Sequence, residues 1–332
     1  MFAKKNLIAV AALATLAVSA QAQSSVTLYG NVDVAVGRFG TPFADSETAV
    51  QSSVLTESFF GLKGQEDLGG GLKAVFKLES SLAVDTGAAL GGTGNFFDKN
   101  ATIGVVGSFG TLTAGRQESL FKQEAIAFNP LGASSFSPTA LAFGVQGDSW
   151  SNTIGYVSPN MGGLTLSAQY APKEGALGDA SNYDGSLYAV SANYTAGALA
   201  LSVVYGQTKP FDFGVTLKDR TYLLGASYDF GVVKAFAQYA KAKIDAKGVG
   251  EVASPTFYQI GAIVPVTAAG SVHVSFGQNK DDGWKDQAFT LAYNHNLSKR
   301  TGVYAGFERV KEKNGGASDS ANSFAVGVRH AF

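Results

Sequence analysis

The sequence predicts an all-β fold, a 16-stranded antiparallel transmembrane β-barrel with a polar inside. Three observations carry this expectation. From Ser25 to Phe332 the chain runs in short stretches of alternating apolar and polar side chains, and none is a helix-length apolar block. The connections between stretches alternate between tight turns and long polar loops. Tyrosines fall near the ends of the stretches, on the parity of the apolar residues.

The first element, 25–36, sets the pattern. Val26, Leu28, Val32, Val34 and Val36 share one parity, and Thr27, Tyr29, Asn31 and Asp33 the other. Successive side chains on a strand point to opposite faces, so such a stretch has one greasy and one wet face. Candidates 58–66 and 71–79 follow, joined by Asp67-Leu68-Gly69-Gly70, then 99–107 and 111–117, joined by Ser108-Phe109-Gly110. After 150–157 comes 164–171, where Leu164, Leu166, Ala168 and Tyr170 alternate with Thr165, Ser167 and Gln169. Thr195-Ala196-Gly197 joins 186–194 to 198–206, whose apolar parity is Leu199, Leu201, Val203 and Tyr205. Asp229-Phe230-Gly231 joins 219–229 to 232–243. The remaining candidates are 256–264, 271–279, 286–294, 301–310 and 322–332. They make roughly sixteen, an even number, as single-chain bacterial barrels require.

The long connections are 37–57, 80–98, 118–149, 172–185, 207–218 and 244–255. Tight turns at one rim and long loops at the other match a barrel with its turns in the periplasm. If the first strand points outward from the cell, Tyr156, Tyr194, Tyr228, Tyr293 and Phe332 end descending strands, and Tyr170, Tyr205 and Tyr239 end ascending ones. Amphipathic rings at both interfaces form girdles. A soluble sandwich would also alternate, but its rings would crowd mid-strand.

The first residues carry Lys4 and Lys5, an apolar run from Leu7 to Ala20, and Ala20-Gln21-Ala22 before Gln23. That pattern is a signal peptide, 1–22, rather than a spanning helix, because the run is shorter than the roughly 20 residues a bilayer needs. The mature part, 23–332, is a single barrel domain with 23 basic and 26 acidic side chains. That balance excludes nucleic acid as a partner, which calls for a clustered basic surface. There is no cysteine, and a sheet closed by hydrogen bonds needs no covalent staple.

Several blocks carry a resemblance. Ser25-Val26-Thr27-Leu28-Tyr29-Gly30-Asn31-Val32-Asp33, the segment Gly61 to Ala74, Gly115-Arg116-Gln117 and the ending Gly327-Val328-Arg329-His330-Ala331-Phe332 resemble the trimeric general-diffusion porins of Gram-negative bacteria, of the beta-proteobacterial type. The likeness spans the mature chain in order and spacing. It implies an outer-membrane homotrimer, each subunit a water-filled channel for passive diffusion of small hydrophilic solutes and ions. It also implies surrounding outer-membrane lipid, including lipopolysaccharide, and a terminal aromatic, Phe332, read by the assembly machinery. In that family the third long loop, here 118–149, folds into the lumen, and a connection of this length is usually functional.

Parity places Asn31, Asp33, Lys77, Glu79, Gln169, Lys234, Gln238 and His273 on the wall of the bore. For the narrow zone the expectation is Asn31, Asp33, Phe59, Lys77, Glu79 and Arg116, facing Glu118, Lys122 and Glu124 on the loop. Arg116 is the family's basic wall residue, yet alternation puts it with Leu112 and Ala114. A bulge at Gly115 would turn it inward; without one it lies at a subunit contact. The resemblance also shows departures: Phe59, Ser149 and Gly155 stand where relatives often have basic residues. Fewer cations mean weaker positive potential, so marked anion selectivity is not expected. Phe59 and the apolar stretch Ala125 to Phe128 point to a less charged, narrower opening.

The rival classes have less support. A barrel enzyme would use Ser, His and acidic groups, but His273, His295 and His330 have no partner at useful spacing. No clustered ligands predict a metal, and Gly87 to Gly94 lacks the lysine and helix of a phosphate loop, so no cofactor is expected. A substrate-specific outer-membrane channel remains the alternative within transport.

Overall fold

The computed structural model describes residues 25–89, 95–141, 149–173, 185–212 and 215–332; the expected signal segment 1–22 lies outside them. Sixteen long strands make the wall: Ser25–Phe39, Phe59–Gly69, Leu72–Ala83, Asn100–Gly107, Gly110–Glu118, Ser149–Val157, Leu164–Ala171, Leu187–Ala196, Leu199–Thr208, Val215–Asp229, Lys234–Ala246, Thr256–Pro265, Gly270–Asp281, Trp284–Asn296, Thr301–Asn314 and Ala317–Ala331. Each pairs antiparallel with the next, and the last pairs with the first, Asn31 opposite Ala331 and Arg38 opposite Phe324. The sheet is thereby closed. Among the described residues no lipid-facing strand edge is left without a neighbour, as a bilayer requires. Among the described residues no helix is long and apolar enough to cross a membrane; strands make the crossing.

Closure ends on an aromatic. Phe332 and Gly30 exchange backbone hydrogen bonds at 3.1 and 3.2 Å, and the Phe332 ring covers Gly30, where a side chain would collide with it. Glycine in a strand permits such close approach.

Faces sort as alternation requires. Val26, Leu166 and Leu201 are 68%, 43% and 41% exposed, whereas Asp33 and Gln238 are buried inside. A dry core filled by the apolar parity is therefore excluded. Tyr170, Tyr205 and Tyr239 face outward at one end of their strands, and Tyr156, Tyr194, Tyr228 and Tyr293 at the other. The outer girdle is longer than expected. Contacts at 4.8 to 6.4 Å link Tyr188 with Tyr205, Tyr222 with Tyr239, Tyr258 with Phe276, Phe289 with Phe307, and Phe307 with Phe324.

Several connections expected to be irregular are in part sheet. Glu47–Ser52 folds back on Val34–Phe39, Ala88–Ala89 on Leu82–Ala83, Phe211–Asp212 on Val215–Thr216, and Gly250–Ala253 on Ile244–Ala246. A wall strand that outgrows the bilayer has free donors and acceptors, and a returning loop satisfies them. Toward the end of the chain the long rim has no long loops. Asp282-Gly283 and Gly315-Gly316 close tall hairpins, with Gly283 and Gly315 at φ 77° and 58°.

Candidate functional site

Residues 119–141 of the third long connection enter the lumen and follow the inner wall. Ser119 caps its helix, Leu120–Ala127, accepting from the Lys122 N–H at 3.2 Å. A capped N-terminus of this kind fixes where a helix starts. Stitching follows, strand after strand. Gln169 accepts from the Leu120 N–H at 3.0 Å and donates to the Glu118 carbonyl at 2.8 Å. Asn193 donates to Glu124 at 2.6 Å, Gln238 to the Ala125 carbonyl at 3.0 Å and Gln259 to the Asn129 Oδ1 at 2.9 Å. His273 Nδ1 lies 2.6 Å from the Pro130 carbonyl, and Thr290 Oγ1 donates to the Phe136 carbonyl.

Apolar packing runs beside these bonds. Phe121, Phe128, Pro130, Pro138 and Phe136 fill the space that side chains would need at the inward glycines 206, 225, 261, 277 and 306. Leu120, Phe121 and Ala125 share a core with the inward Trp150, Ala189, Val204, Leu223, Ala240 and Phe257. Over this sector the lumen wall is not polar, because the loop keeps water off it. Gln169, Gln238 and His273, expected to line open water, instead hold the loop.

A second segment supports the loop's far end. Asp33 is fully buried and accepts from the Val54 N–H at 3.0 Å, the Thr56 N–H at 3.1 Å and the Tyr304 hydroxyl at 2.7 Å. Asn31 donates to Thr56 Oγ1 at 2.6 Å and the Glu57 carbonyl at 3.1 Å. The Val54 carbonyl in turn accepts from Ser134 Oγ at 2.6 Å and the Ser135 N–H at 3.2 Å. Asn31 and Asp33 thus lie inside the barrel, covered by the segment they hold rather than bordering the opening.

Where that segment, the end of the second loop and the start of the third meet, four charges alternate. Lys99 pairs with Glu57 and, at 3.0 Å, with Glu118; Lys122 pairs with Glu57 at 2.7 Å and Glu118 at 3.4 Å. Two cations and two anions cancel. Burial works to raise the Glu57 carboxyl, but Lys99 and then Lys122 outweigh it and hold the group below the usual carboxylate range. Burial likewise opposes the Lys99 charge, and Glu57 and Glu118 more than compensate, so it stays protonated. Lys99 also lies 5.6 Å from the centre of the Phe59 ring, so a cation stands beside this apolar wall residue.

The other expected residues disperse around this quartet. Glu79 is buried, accepting from Tyr29 at 2.7 Å and from Asn100, with Lys77 at 2.9 Å; Lys77 itself is 41% exposed to the bore. Toward the turn rim a recess of about 390 Å³ is lined by Thr27, Lys63, Gln65, Lys77, Thr102 and Thr113. Glu124 is buried against the wall, its carboxyl pushed up by desolvation, so it does not face the opening. Ala125 and Phe128 are buried too, and the apolar stretch seats the helix instead of narrowing the bore.

The structure corrects the inward reading of Arg116. The irregularity near Gly115 lies in the facing strand: Gly115 opposes Thr153 and Gln117 opposes Trp150, so the extra residue is there, with Asn152 at φ 56°. On the other side, pairing runs unbroken through Thr102 with Gly115 and Ala101 with Arg116. Arg116 therefore keeps the outward parity, donating to the Asp98 carbonyl at 2.5 Å and Ser151 Oγ at 2.8 Å.

Sequence reasoning missed Glu57, which ends a long connection where alternation carries no information, and Lys99, which opens its expected strand 99–107, where parity alone does not bring it to the loop. Among the described residues no group of three or more His, Asp or Glu is placed to hold a metal.

A closed sixteen-strand barrel with an inserted third loop narrows the comparison to one class, and the Gram-negative porin family matches residues 9–315. The chain belongs to that family. Outer membrane porin protein 32 of Delftia acidovorans is 34% identical over 361 residues, covering 99% of this porin and 100% of that protein. The major outer membrane protein P.IB of Neisseria lactamica is 29% identical over 346 residues, with coverage of 99% and 100%. Among solved structures, the anion-selective porin from Comamonas acidovorans superposes with a TM-score of 0.81 at 30% identity, over 93% of this porin and 100% of that chain. The trimer form of OmpT of Vibrio cholerae shares the fold, with a TM-score of 0.71 at 14% identity over 93% and 99%. This porin is an outer-membrane channel for passive diffusion of small hydrophilic solutes and ions.

Proposed function

We propose that this porin screens solutes at the Glu57, Lys99, Glu118 and Lys122 quartet, passing ions of either sign with little preference. The observation that carries the reading is the cancellation of charge there, two cations against two anions in direct contact. Charges lining the narrowest point set the sign of a channel's selectivity. "Anion-selective" describes the Comamonas porin; here Phe59, Ser149 and Gly155 bring no cation of their own, and the space beside Gly155 is taken by Gln117. The bore lies between the docked loop and the wall around Lys63 and Lys77, and helix residues Gln123 and Ala127 face it.

The working unit in this reading is a homotrimer surrounded by outer-membrane lipid, including lipopolysaccharide. It is exported by cleavage after Ala22 and assembled through Phe332 as the terminal signal. The trimeric relative and the chain's secretory start support these expectations.

Planar-bilayer recording of the purified protein tests the proposal. Expected are current steps that close in threes, conductance rising linearly with salt, and a reversal potential near zero in a salt gradient. A strong anion preference would overturn the charge-balanced constriction, and saturation by one solute would favour a substrate-specific channel.

A further inference from the structure

We propose that this porin is an ionic rectifier. An acidic mouth at the long-loop rim and a basic mouth at the turn rim, placed in series, make it conduct better when the long-loop side is positive. The inference takes the charge-balanced quartet as the neutral junction between the two mouths, and so rests on the constriction reading above.

The acidic mouth comes from a sorting of charge across one sheet. On the last four strands Asp281, Asp286, Glu312 and Asp319 share the parity of His273, Thr290, Gly306 and Ser323. Those four residues face inward, His273 on Pro130, Thr290 and Gly306 on Phe136, and Ser323 on Gly40. Asp286 stands directly opposite Glu312, and Glu312 opposite Asp319. Like charges so placed are destabilising. Among the described residues Asp286, Glu312 and Asp319 form no ion pair. Asp281 and Asp319 accept from the backbone N–H groups of Ser254 and Phe43, which leaves their charge in place. The basic side chains at this height of the same strands, Lys280, Lys285, Arg309, Lys311 and Lys313, all have the outward parity. Bore water faces the carboxylates directly and these cations only through the sheet, so the nearer negative charge sets its potential.

The turn rim carries the opposite sign. Neighbours cancel part of its charge: Lys73 opposes Asp67, Lys234 opposes Asp229, Arg329 opposes Asp33, and Lys77 pairs with Glu79 at 2.9 Å. What is left is basic. Lys63 faces the recess, 4.5 Å from the centre of the Tyr29 ring, and Lys299 and Arg300 are exposed in the turn before Thr301. Among the described residues these three form no ion pair, and the carboxylate against them, Glu66, has the outward parity.

Fixed carboxylates gather cations, and fixed cations gather anions. With the long-loop side positive, cations enter through the acidic mouth and anions through the basic one, so both accumulate at the junction and current is high. With the voltage reversed both leave the junction. Neither mouth readily admits the ion that would replace them, and current falls.

Single-channel recording of the full chain tests the proposal. Gly316→Cys, at an outer hairpin tip with open space around it, gives the cysteine-free chain one thiol; a bulky thiol-directed polymer added to one chamber then reports each channel's orientation. At about 0.1 M salt, where fields reach about 10 Å, current with the long-loop side positive is expected to be about twofold that at the opposite voltage. At about 1 M, where they reach about 3 Å, the two currents are expected to be equal. Asp286→Asn/Glu312→Gln/Asp319→Asn and, separately, Lys63→Gln/Lys299→Gln/Arg300→Gln are each expected to bring the low-salt ratio toward one, because rectification needs both mouths. Equal currents in the parent at low salt, or an excess at the opposite polarity, overturn the proposal. A ratio unchanged in either variant overturns it too, and assigns the asymmetry to the shape of the bore. A salt gradient held near about 1 M screens both mouths and reads the quartet alone. Strong anion preference there is the failure of the constriction reading, whereas equal currents at low salt are the failure of the rectifier.

Discussion

Phe128 occupies the space that a side chain at Gly225 would need: a methyl group there would stand 2.6 Å from its ring. The same fit recurs around the wall, with Phe121 at Gly206 and Phe136 at Gly306, so the constriction loop is seated in a track cut by missing side chains. The glycines and their aromatic partners lie in distant parts of the sequence. Their match is what holds the stretch from Phe121 to Pro138 against the wall instead of across the bore.

Gly225→Val is therefore expected to lift Phe128 off the wall. Overpacking of this kind costs about 1–3 kcal/mol. The folded barrel should collapse at lower temperature on gels, and single-channel current should flicker as the loop moves. Gly316→Ala, with open space around it, should match the parent in both measurements.

Lys99→Gln removes the cation shared by Glu57 and Glu118. One lysine then faces two carboxylates, so the reversal potential in a salt gradient should move toward cation preference. Glu57→Gln should move it the opposite way. Shifts of the same sign in both variants would separate the quartet from selectivity.

Acid should act late on this channel. Because Lys99 and Lys122 depress the Glu57 carboxyl in the folded protein, its charge and its ion pairs are complete above the ordinary glutamate value of about 4.3 and are lost as pH falls through the lower folded value. Selectivity should hold steady from pH 7 to about 4.5 and then turn toward anions, as Lys99 and Lys122 are left uncompensated. A turn that begins near pH 6 would contradict the depressed carboxyl.

Asp33→Ala removes the acceptor of the Val54 N–H, the Thr56 N–H and hydroxyl, and the Tyr304 hydroxyl. Buried donors left unsatisfied cost about 1–3 kcal/mol each, so the loss is expected to be about 3 kcal/mol or more. Loosening the 53–58 segment also frees the contacts of Ser134 and Ser135 with the Val54 carbonyl. Denaturant unfolding followed by tryptophan fluorescence should show an earlier midpoint, and open-channel noise should rise in the same variant.

Alternation alone placed Val26, Leu166 and Leu201 outside and Asp33 and Gln238 inside, and it located both aromatic girdles. Those placements depend only on the two-residue period of a strand. Where the reading failed, the cause lay outside parity. Parity says which face a side chain takes, but not what covers it there. Gln169, Gln238 and His273 do point inward, yet they bond the loop and not open water. Glu57, which meets Lys99 in the charge quartet, ends a long connection where no period exists, and Lys99 is the first residue of its expected strand, where alternation barely begins. Arg116 tested a local irregularity, and the extra residue proved to belong to the facing strand, at Asn152.

The sequence by itself determined a closed sheet of sixteen strands, its lipid-facing skin and its polar-or-apolar parity, since each follows from neighbours one or two residues apart. Only the tertiary structure decided which inward groups meet the solute. Loops fold back over the wall, and burial of Phe121, Phe128 and Phe136 in glycine notches chooses the path. That choice depends on shapes brought together from strands far apart in the chain, and local periodicity does not encode it.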